Sequence, residues 1–369
     1  MISALANATL FTGKEKIKGK AILIENDKIK DIVNLSQVPN KTQIIDYSGY
    51  FISPGLIDLQ IAGGGGYLFS ENPCKEALEA ITDSIIRSGT TGFLIAVPTN
   101  SFKVYRELIK VLKDNPHPAV IGLHLEGPYI NKHRGGAHNF KYIKTPGKNE
   151  IKELLDEAGG VIKMMTLAPE LCDHDFVKLL RARGVTVAAG HSDASFVQAK
   201  AGFSWGVQTC THLFNAMSSF HHRDPGLPGA TFESEIAYAS IIADGIHVDY
   251  SAVSIAKKIM KNRLYLVSDA VEENAEGAYL HKRQADRFTL PDGTLSGSKL
   301  SMLKAVKNCV EHAGIQLDEA LRMGSTYPAK LIESDRYGYI KQGYKANLTV
   351  FSEDYSVKQV IIDLSLIHI

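Results

Sequence analysis

GLIDLQIAGGGGYLFSENPCKEALEAITDSIIRSGTTGFLIAVPT, residues 55–99, contains the unit from which most of the chain is built. It opens on a strand-length apolar run, 55–61, and closes on another, 92–99. Between them, residues 74–89 (CKEALEAITDSIIRSG) carry apolar side chains at helical spacing. Near-continuous apolar strands separated by amphipathic helices point to a parallel sheet covered on both faces. Six further runs continue the pattern: VIGLHLE (120–126), IKMMTLAPE (162–170), GVTVAAGH (184–191), GVQTCTH (206–212), SIIADGIH (240–247) and RLYLVSD (263–269). Another helix-like stretch, SAVSIAKKIMKN (251–262), precedes the last of them. Eight such runs predict an α/β fold closed into a (β/α)8 TIM barrel rather than an open doubly wound sheet.

The two ends of the chain read differently. KAILIENDKIKDIV (20–33) has apolar runs on both sides of Glu25 to Lys28, a hairpin signal, and KANLTVFSEDYSVKQVIID (345–363) is also strand-like. These pieces are expected to pair into one small sheet domain, residues 1–52 plus 338–369, beside a barrel of residues 53–337.

Composition narrows the function. The 369 residues are 44% hydrophobic, enough for a large core, and the formal net charge is +1. With no cluster of Lys and Arg among aromatics, no footprint for nucleic acid or an anionic membrane is expected. No apolar stretch reaches the roughly 18 residues of a membrane span. The opening MISALANATLF lacks the basic segment of a signal peptide, and the four cysteines are widely spaced without a CxxC. Buried free thiols and a cytoplasmic protein are expected.

The run ends carry the chemistry. In order they are Gln60, Thr99, Glu126, Glu170, His191, His212, His247 and Asp269. Barrels of this kind collect their catalytic groups at the C-terminal strand ends. Glu126, His191 and His212 supply one carboxylate and two imidazoles, a set suited to one divalent ion with an open position. His124 lies deeper on the face of Glu126 and is read as structural. Asp269 is placed to take a proton from an attacking water and return it to a leaving group.

HLEGPY (124–129), AGHSDAS (189–195), THLFNAM (211–217), DPGLPGA (224–230), IIADGIHVD (241–249) and LVSDA (266–270) together resemble the N-acetylglucosamine-6-phosphate deacetylase family of the amidohydrolase superfamily. The resemblance covers almost the whole chain, in the family's order. It implies a metal-dependent barrel with a small β-sandwich built from both termini, hydrolysing the acetamide of N-acetylglucosamine 6-phosphate to glucosamine 6-phosphate and acetate, in amino-sugar catabolism and cell-wall sugar recycling. It makes Glu126, His191 and His212 the ligands of one divalent ion per subunit, Zn2+ first, with Fe2+, Co2+ or Mn2+ as alternatives. Asp269 becomes the general base and acid. His138, beside Ala137 in GGAHNF, matches the histidine near the scissile carbonyl; a preorganised donor there stabilises the oxyanion by about 3 kcal/mol. Arg223 and His247 match the residues that hold the phosphate, with Asn215 and Ala216 of the same loop joining them. His221 and His222 are read as solvated neighbours. The family often completes the phosphate site across a dimer interface, so a homodimer is implied.

Two departures stand out. Many amidohydrolases have His-x-His at the end of the first strand, helping to hold a second metal; here Gln60 and Ala62 stand there, and neither is a useful ligand. One metal is therefore expected. At the C-terminus, LSLIHI replaces the closing strand with an Asn-Gly turn usual in the family, as a truncation would, and carries no assigned function. The rival readings are the same chemistry on N-acetylgalactosamine 6-phosphate, a dihydroorotase-like cyclic-amide hydrolase, and a degenerate barrel acting as a scaffold. The second would want His-x-His, and the third an eroded set of strand-end residues.

Overall fold

Eight parallel strands form the centre of the computed structural model, which describes residues 2–362 and 365–368. They are β1 (Leu56–Ile61), β2 (Thr90–Pro98), β3 (Val120–Glu126), β4 (Ile162–Leu167), β5 (Thr186–Ala189), β6 (Thr209–Cys210), β7 (Tyr238–Ile241) and β8 (Leu264–Leu266). Each pairs in parallel with its sequence neighbour, and the register Pro98↔Glu126↔Thr166 levels the C-terminal ends of β2, β3 and β4. The seam between β8 and β1 is closed just past the strands, where Asp269 N donates to Gln60 O at 2.9 Å and Ala62 N to Ala270 O at 2.8 Å. The expected TIM barrel is borne out.

Helices cover the strands where the sequence showed helical spacing. Lys75–Arg87 follows β1 and buries Leu78, Ile81, Ile85 and Ile86 against the barrel. Each such side chain taken out of water contributes about 1.5–3 kcal/mol. Tyr250–Met260 stands between β7 and β8, its first turn held by Asp249, which accepts from Ser251 N. Ser101 and Asp173 start the helices Phe102–Asp114 and His174–Ala182 in the same way, each side chain satisfying an otherwise unpaired backbone N–H.

The termini build the expected sandwich. Ile2–Ala6, Lys20–Glu25, Lys28–Asn34 and Gln43–Asp46 form one sheet, and the hairpin turns at Asn26 and Asp27 as expected. The second sheet joins Thr9–Phe11, Lys16–Ile17 and Phe51–Pro54 to Leu348–Phe351, Val357–Ile362 and Ser365–His368. Leu5 and Ile22 of one sheet meet Leu10, Ile52 and Leu348 of the other in a separate core. Strand alternation sends Val350 into that core and Phe351 into the barrel's, so one sheet joins the two bodies. The division drawn between residues 52 and 53 falls inside Phe51–Pro54, a single strand paired with Leu348–Phe351. Residues 365–368 of the C-terminal LSLIHI pair with Val357–Ile362; residues 363, 364 and 369 lie outside the described residues.

Three features differ from expectation. His247 is not a strand end: β7 stops at Ile241, and His247 sits on the loop before the helix Tyr250–Met260. Glu170 lies beyond β4 in a short 3-10 turn, Pro169–Leu171. After β8 the chain forms a small antiparallel sheet, Lys282–Arg283, Arg287–Thr289 and Leu295–Ser298, that no run had signalled. Of the cysteines, Cys210 and Cys309 are buried, whereas Cys74 and Cys172 are only half-buried; all four are free.

Candidate active site

Glu126 is the last residue of β3, and His191 and His212 follow β5 and β6 by two residues each. Glu126 Oε1 lies 3.2 Å from His191 Nε2 and 3.0 Å from His212 Nε2, and the two imidazole nitrogens are 3.1 Å apart. All three residues are buried. His191 and His212 take positive φ values of 47° and 31°, as does Asp269 at 50°. Such left-handed backbone is uncommon outside glycine and gathers at functional sites.

The nitrogen chemistry tests whether a metal fits. His191 Nδ1 donates to the backbone carbonyl of Arg134 at 2.8 Å, so the proton of a neutral ring sits there. Its Nε2 lone pair then faces a carboxylate oxygen and a second imidazole nitrogen. The His191 lone pair and the carboxylate oxygen repel one another unless a proton or a cation lies between them. The donor set of one carboxylate and two imidazoles suits a divalent transition metal. The residues fit the group.

Gln60 lies between the two site carboxylates. Its Nε2 donates to Glu126 Oε1 at 2.9 Å and to Asp269 Oδ1 at 3.0 Å. Both partners are acceptors, so the amide must present its NH2 group to them. A donor therefore occupies the place where a second metal would need a ligand. Ala62 lines the cavity with a methyl group only. Burial, and then the neighbouring charge of Glu126, push the Asp269 carboxyl above its ordinary range.

Beneath this pair, Asp58 ties the first strand to the last. Its carboxylate accepts from Gln60 N and Ser268 N, both at 3.2 Å, and from the Ser268 hydroxyl. Burial raises Asp58 to about 7.

His138 enters from the loop after β3. Its Nε2 lies 3.5 Å from Glu126 Oε2, and its Nδ1 is 3.2 Å from Thr99 N and 2.8 Å from Thr99 Oγ1. A backbone N–H aimed at Nδ1 makes that nitrogen the acceptor and puts the ring proton on Nε2, toward the cavity. Burial pushes His138 down to about 4, so it is neutral near pH 7. His124, by contrast, has both nitrogens engaged, with Leu59 O at 2.9 Å and Thr166 Oγ1 at 2.7 Å. That agrees with a structural role.

A cavity of about 320 Å3 opens over these groups. Ala137, His138, Asn215, Ala216 and His247 line it together with the ligand set and Asp269. His247 Nδ1 is held 2.6 Å from Asp244 Oδ2. Burial works to raise the Asp244 carboxyl, but its bonds to His247 outweigh that and hold it low. Arg223 is not brought to this cavity by its own chain; it is exposed, as are His221 and His222. Glu170 is not brought there either. It accepts from Ser192 Oγ at 2.7 Å, Asp193 N at 2.6 Å and Asn131 Nδ2 at 2.9 Å, which fastens the loop behind His191.

Sequence reasoning missed one wall, made by Tyr279, His281, Leu295, Ser296 and Gly297. The signal lay in PDGT (291–294), a turn between short apolar runs, where Gly293 N donates to Leu290 O at 2.9 Å. The four glycines after β1 turn out to make a tight hairpin. Gly63–Gly64 pairs with Tyr67–Leu68, and Gly65 and Gly66 take φ values of 59° and 90° at the turn.

A barrel with a carboxylate at the end of β3 and two imidazoles just past β5 and β6, facing a half-buried aspartate, defines a hydrolase of the metal-dependent barrel class. The pattern of the Amidohydrolase family matches residues 51–363, and that of the NagA composite domain matches residues 3–52. The chain belongs to the amidohydrolase family, in its N-acetylglucosamine-6-phosphate deacetylase branch. It is 33% identical to the N-acetylglucosamine-6-phosphate deacetylase of Haemophilus influenzae, over 98% of each chain. Against the Homo sapiens enzyme of that name it is 32% identical over 87% of this chain and 84% of the other. The crystal structure of the Pasteurella multocida N-acetylglucosamine-6-phosphate deacetylase superposes with a TM-score of 0.95 at 34% identity, covering 100% of both chains. A mutant of the Mycobacterium smegmatis deacetylase, solved with N-acetyl-D-glucosamine-6-phosphate, gives a TM-score of 0.90 at 25% identity over 99% and 98% of the chains.

Proposed function

We propose that the protein hydrolyses N-acetylglucosamine 6-phosphate to glucosamine 6-phosphate and acetate. The observation that carries this reading is the buried Glu126, His191 and His212 cluster, which shares one cavity with Asp269 and a neutral His138. Glu126, His191 and His212 would hold a single divalent ion, Zn2+ first among the candidates. When bound, such an ion lowers the pKa of water toward 7 and polarises the scissile carbonyl.

The chain's own residues do the rest. Asp269 takes the proton of the attacking water as the new C–O bond forms. His138, with its proton on Nε2, donates to the carbonyl oxygen as negative charge gathers there. As the C–N bond breaks, Asp269 returns the proton to the amine nitrogen, and the acid product gives up the water's second proton, so that acetate and an ammonium are left at neutral pH. Gln60 keeps Asp269 and Glu126 apart through its two donated bonds, which supports a one-metal site.

The phosphate end falls to His247, Asn215 and Ala216, with Ala137 beside them on the cavity wall. Arg223, a planar fork suited to phosphate, lies outside its own chain's cavity. That supports a homodimer in which each Arg223 serves the partner's site. No helix among the described residues is long and apolar enough to cross a membrane. We place the enzyme in the cytoplasm, where its phosphorylated substrate would be found.

Acetate release from purified protein given N-acetylglucosamine 6-phosphate or N-acetylgalactosamine 6-phosphate tests this reading. Faster release from the gluco epimer is expected. No acetate from either sugar would overturn it.

A further inference from the structure

The wall that the sequence concealed carries an imidazole with no task so far. His281 is 5% exposed and lines the cavity, and its neighbour Ser296 is 7% exposed. His281 Nδ1 lies 2.9 Å from Ser296 Oγ, and this is its side chain's one hydrogen bond among the described residues. The contrast with His124 is direct, since a buried imidazole with a purely structural role has both nitrogens satisfied there. Leaving a polar atom of a buried ring unpaired is unfavourable unless a ligand or water meets it.

The wall is rigid. His281 exchanges two backbone hydrogen bonds with Asn274, at 2.9 and 3.0 Å. The strand that carries Ser296 is fixed to the segment bearing Asp269, because Ser298 N donates to Asp269 O at 2.9 Å. Between them, Gly297 has no room for a side chain: a Cβ there would lie 2.6 Å from Val271 Cγ1. The imidazole is therefore held in register with the general base, and burial pushes it down to about 4, leaving it uncharged near pH 7. A neutral nitrogen offers little to a phosphate, but it suits a hydroxyl, which can donate or accept.

We propose that His281, oriented by Ser296, hydrogen-bonds a hydroxyl of the substrate's sugar ring and so helps to set which hexosamine the enzyme accepts. The proposal rests on the deacetylase reading. Its test compares kcat/KM of wild type, His281→Ala and His281→Phe on N-acetylglucosamine 6-phosphate and on its 1-, 3- and 4-deoxy analogues. For wild type, one analogue should be poorer than the parent by roughly tenfold, the scale of one neutral hydrogen bond. Both variants should lose about as much on the parent, mainly through KM, and lose nothing further on that one analogue. The other analogues should fall as the parent does. His281→Phe fills the ring's volume without its nitrogens, which separates a lost hydrogen bond from a lost wall. Equal losses on the parent and every analogue, or no loss at all, would overturn the role of His281. No acetate from the parent sugar with wild-type protein would instead sink the deacetylase reading, and this proposal with it.

Discussion

Asp269 and Gln60 show how much a single side chain decides in this site. Asp269→Asn keeps the shape of the side chain but removes the group that accepts the water's proton. Metal content measured on the variant should be unchanged, while kcat falls by about 10^2- to 10^4-fold. Near wild-type turnover would remove Asp269 from the mechanism. The sequence made this residue legible because it ends an apolar run, and Gln60 because a carboxamide at the end of the first strand is a poor metal ligand. Thr99 was legible as a strand end, yet its task was not. That Thr99 aims its backbone N–H at His138 Nδ1 depends on the loop after β3 folding back over β2, a contact across 39 positions. His247 was read at the end of a run because SIIADGIH opens on an apolar stretch and has the length of a strand. The backbone leaves the sheet at Ile241, where Asp244 begins a turn by accepting from Ile246 N and His247 N, both at 2.8 Å.

At the scale of elements, the alternation of apolar runs and amphipathic helices was enough to give all eight strands and the order in which they pair. The insertion after β8 escaped because its strands are only two to four residues long, which leaves no period to read. The junction of β1 and β8 depends on Asp58, a buried carboxylate whose partners are Gln60 and Ser268, next to Asp269 in the chain. Asp58→Ala would leave two backbone N–H groups and a hydroxyl unpaired in the core. Such a loss destabilises by about 1–3 kcal/mol for each unsatisfied group. Thermal unfolding should shift downward, and kcat should fall even where the folded variant still binds its full metal complement, because Gln60 and Asp269 lose their common anchor. Unchanged kcat in the folded variant would show that the seam does not position the base.

For the whole molecule, the sandwich was legible only as two strand-rich ends; that one strand, Phe51–Pro54, pairs with the C-terminal segment is a contact across nearly the whole chain and leaves no local mark. The position of Arg223 has a consequence at this scale. A chain with Arg223→Ala and a chain with Asp269→Asn should each form nearly inactive dimers. When the two are mixed and allowed to exchange, one site in the mixed dimer regains both groups, so activity on the phosphorylated sugar should return to about one quarter of the wild-type level at full exchange, half the dimers being mixed and half their sites intact. No recovery in verified mixed dimers would mean that Arg223 acts within its own chain or not on the phosphate. On the proposed reading, one divalent ion per chain, held by Glu126, His191 and His212, is enough for the chemistry because Gln60 occupies the second position. The most direct test of this reading is to strip the protein with a chelator, return Zn2+ in fractions of an equivalent, and follow acetate release from N-acetylglucosamine 6-phosphate. Activity should be lost on stripping, rise linearly and reach its plateau at one ion per chain; a plateau at two ions, or full activity in the stripped protein, would rule out a one-metal site.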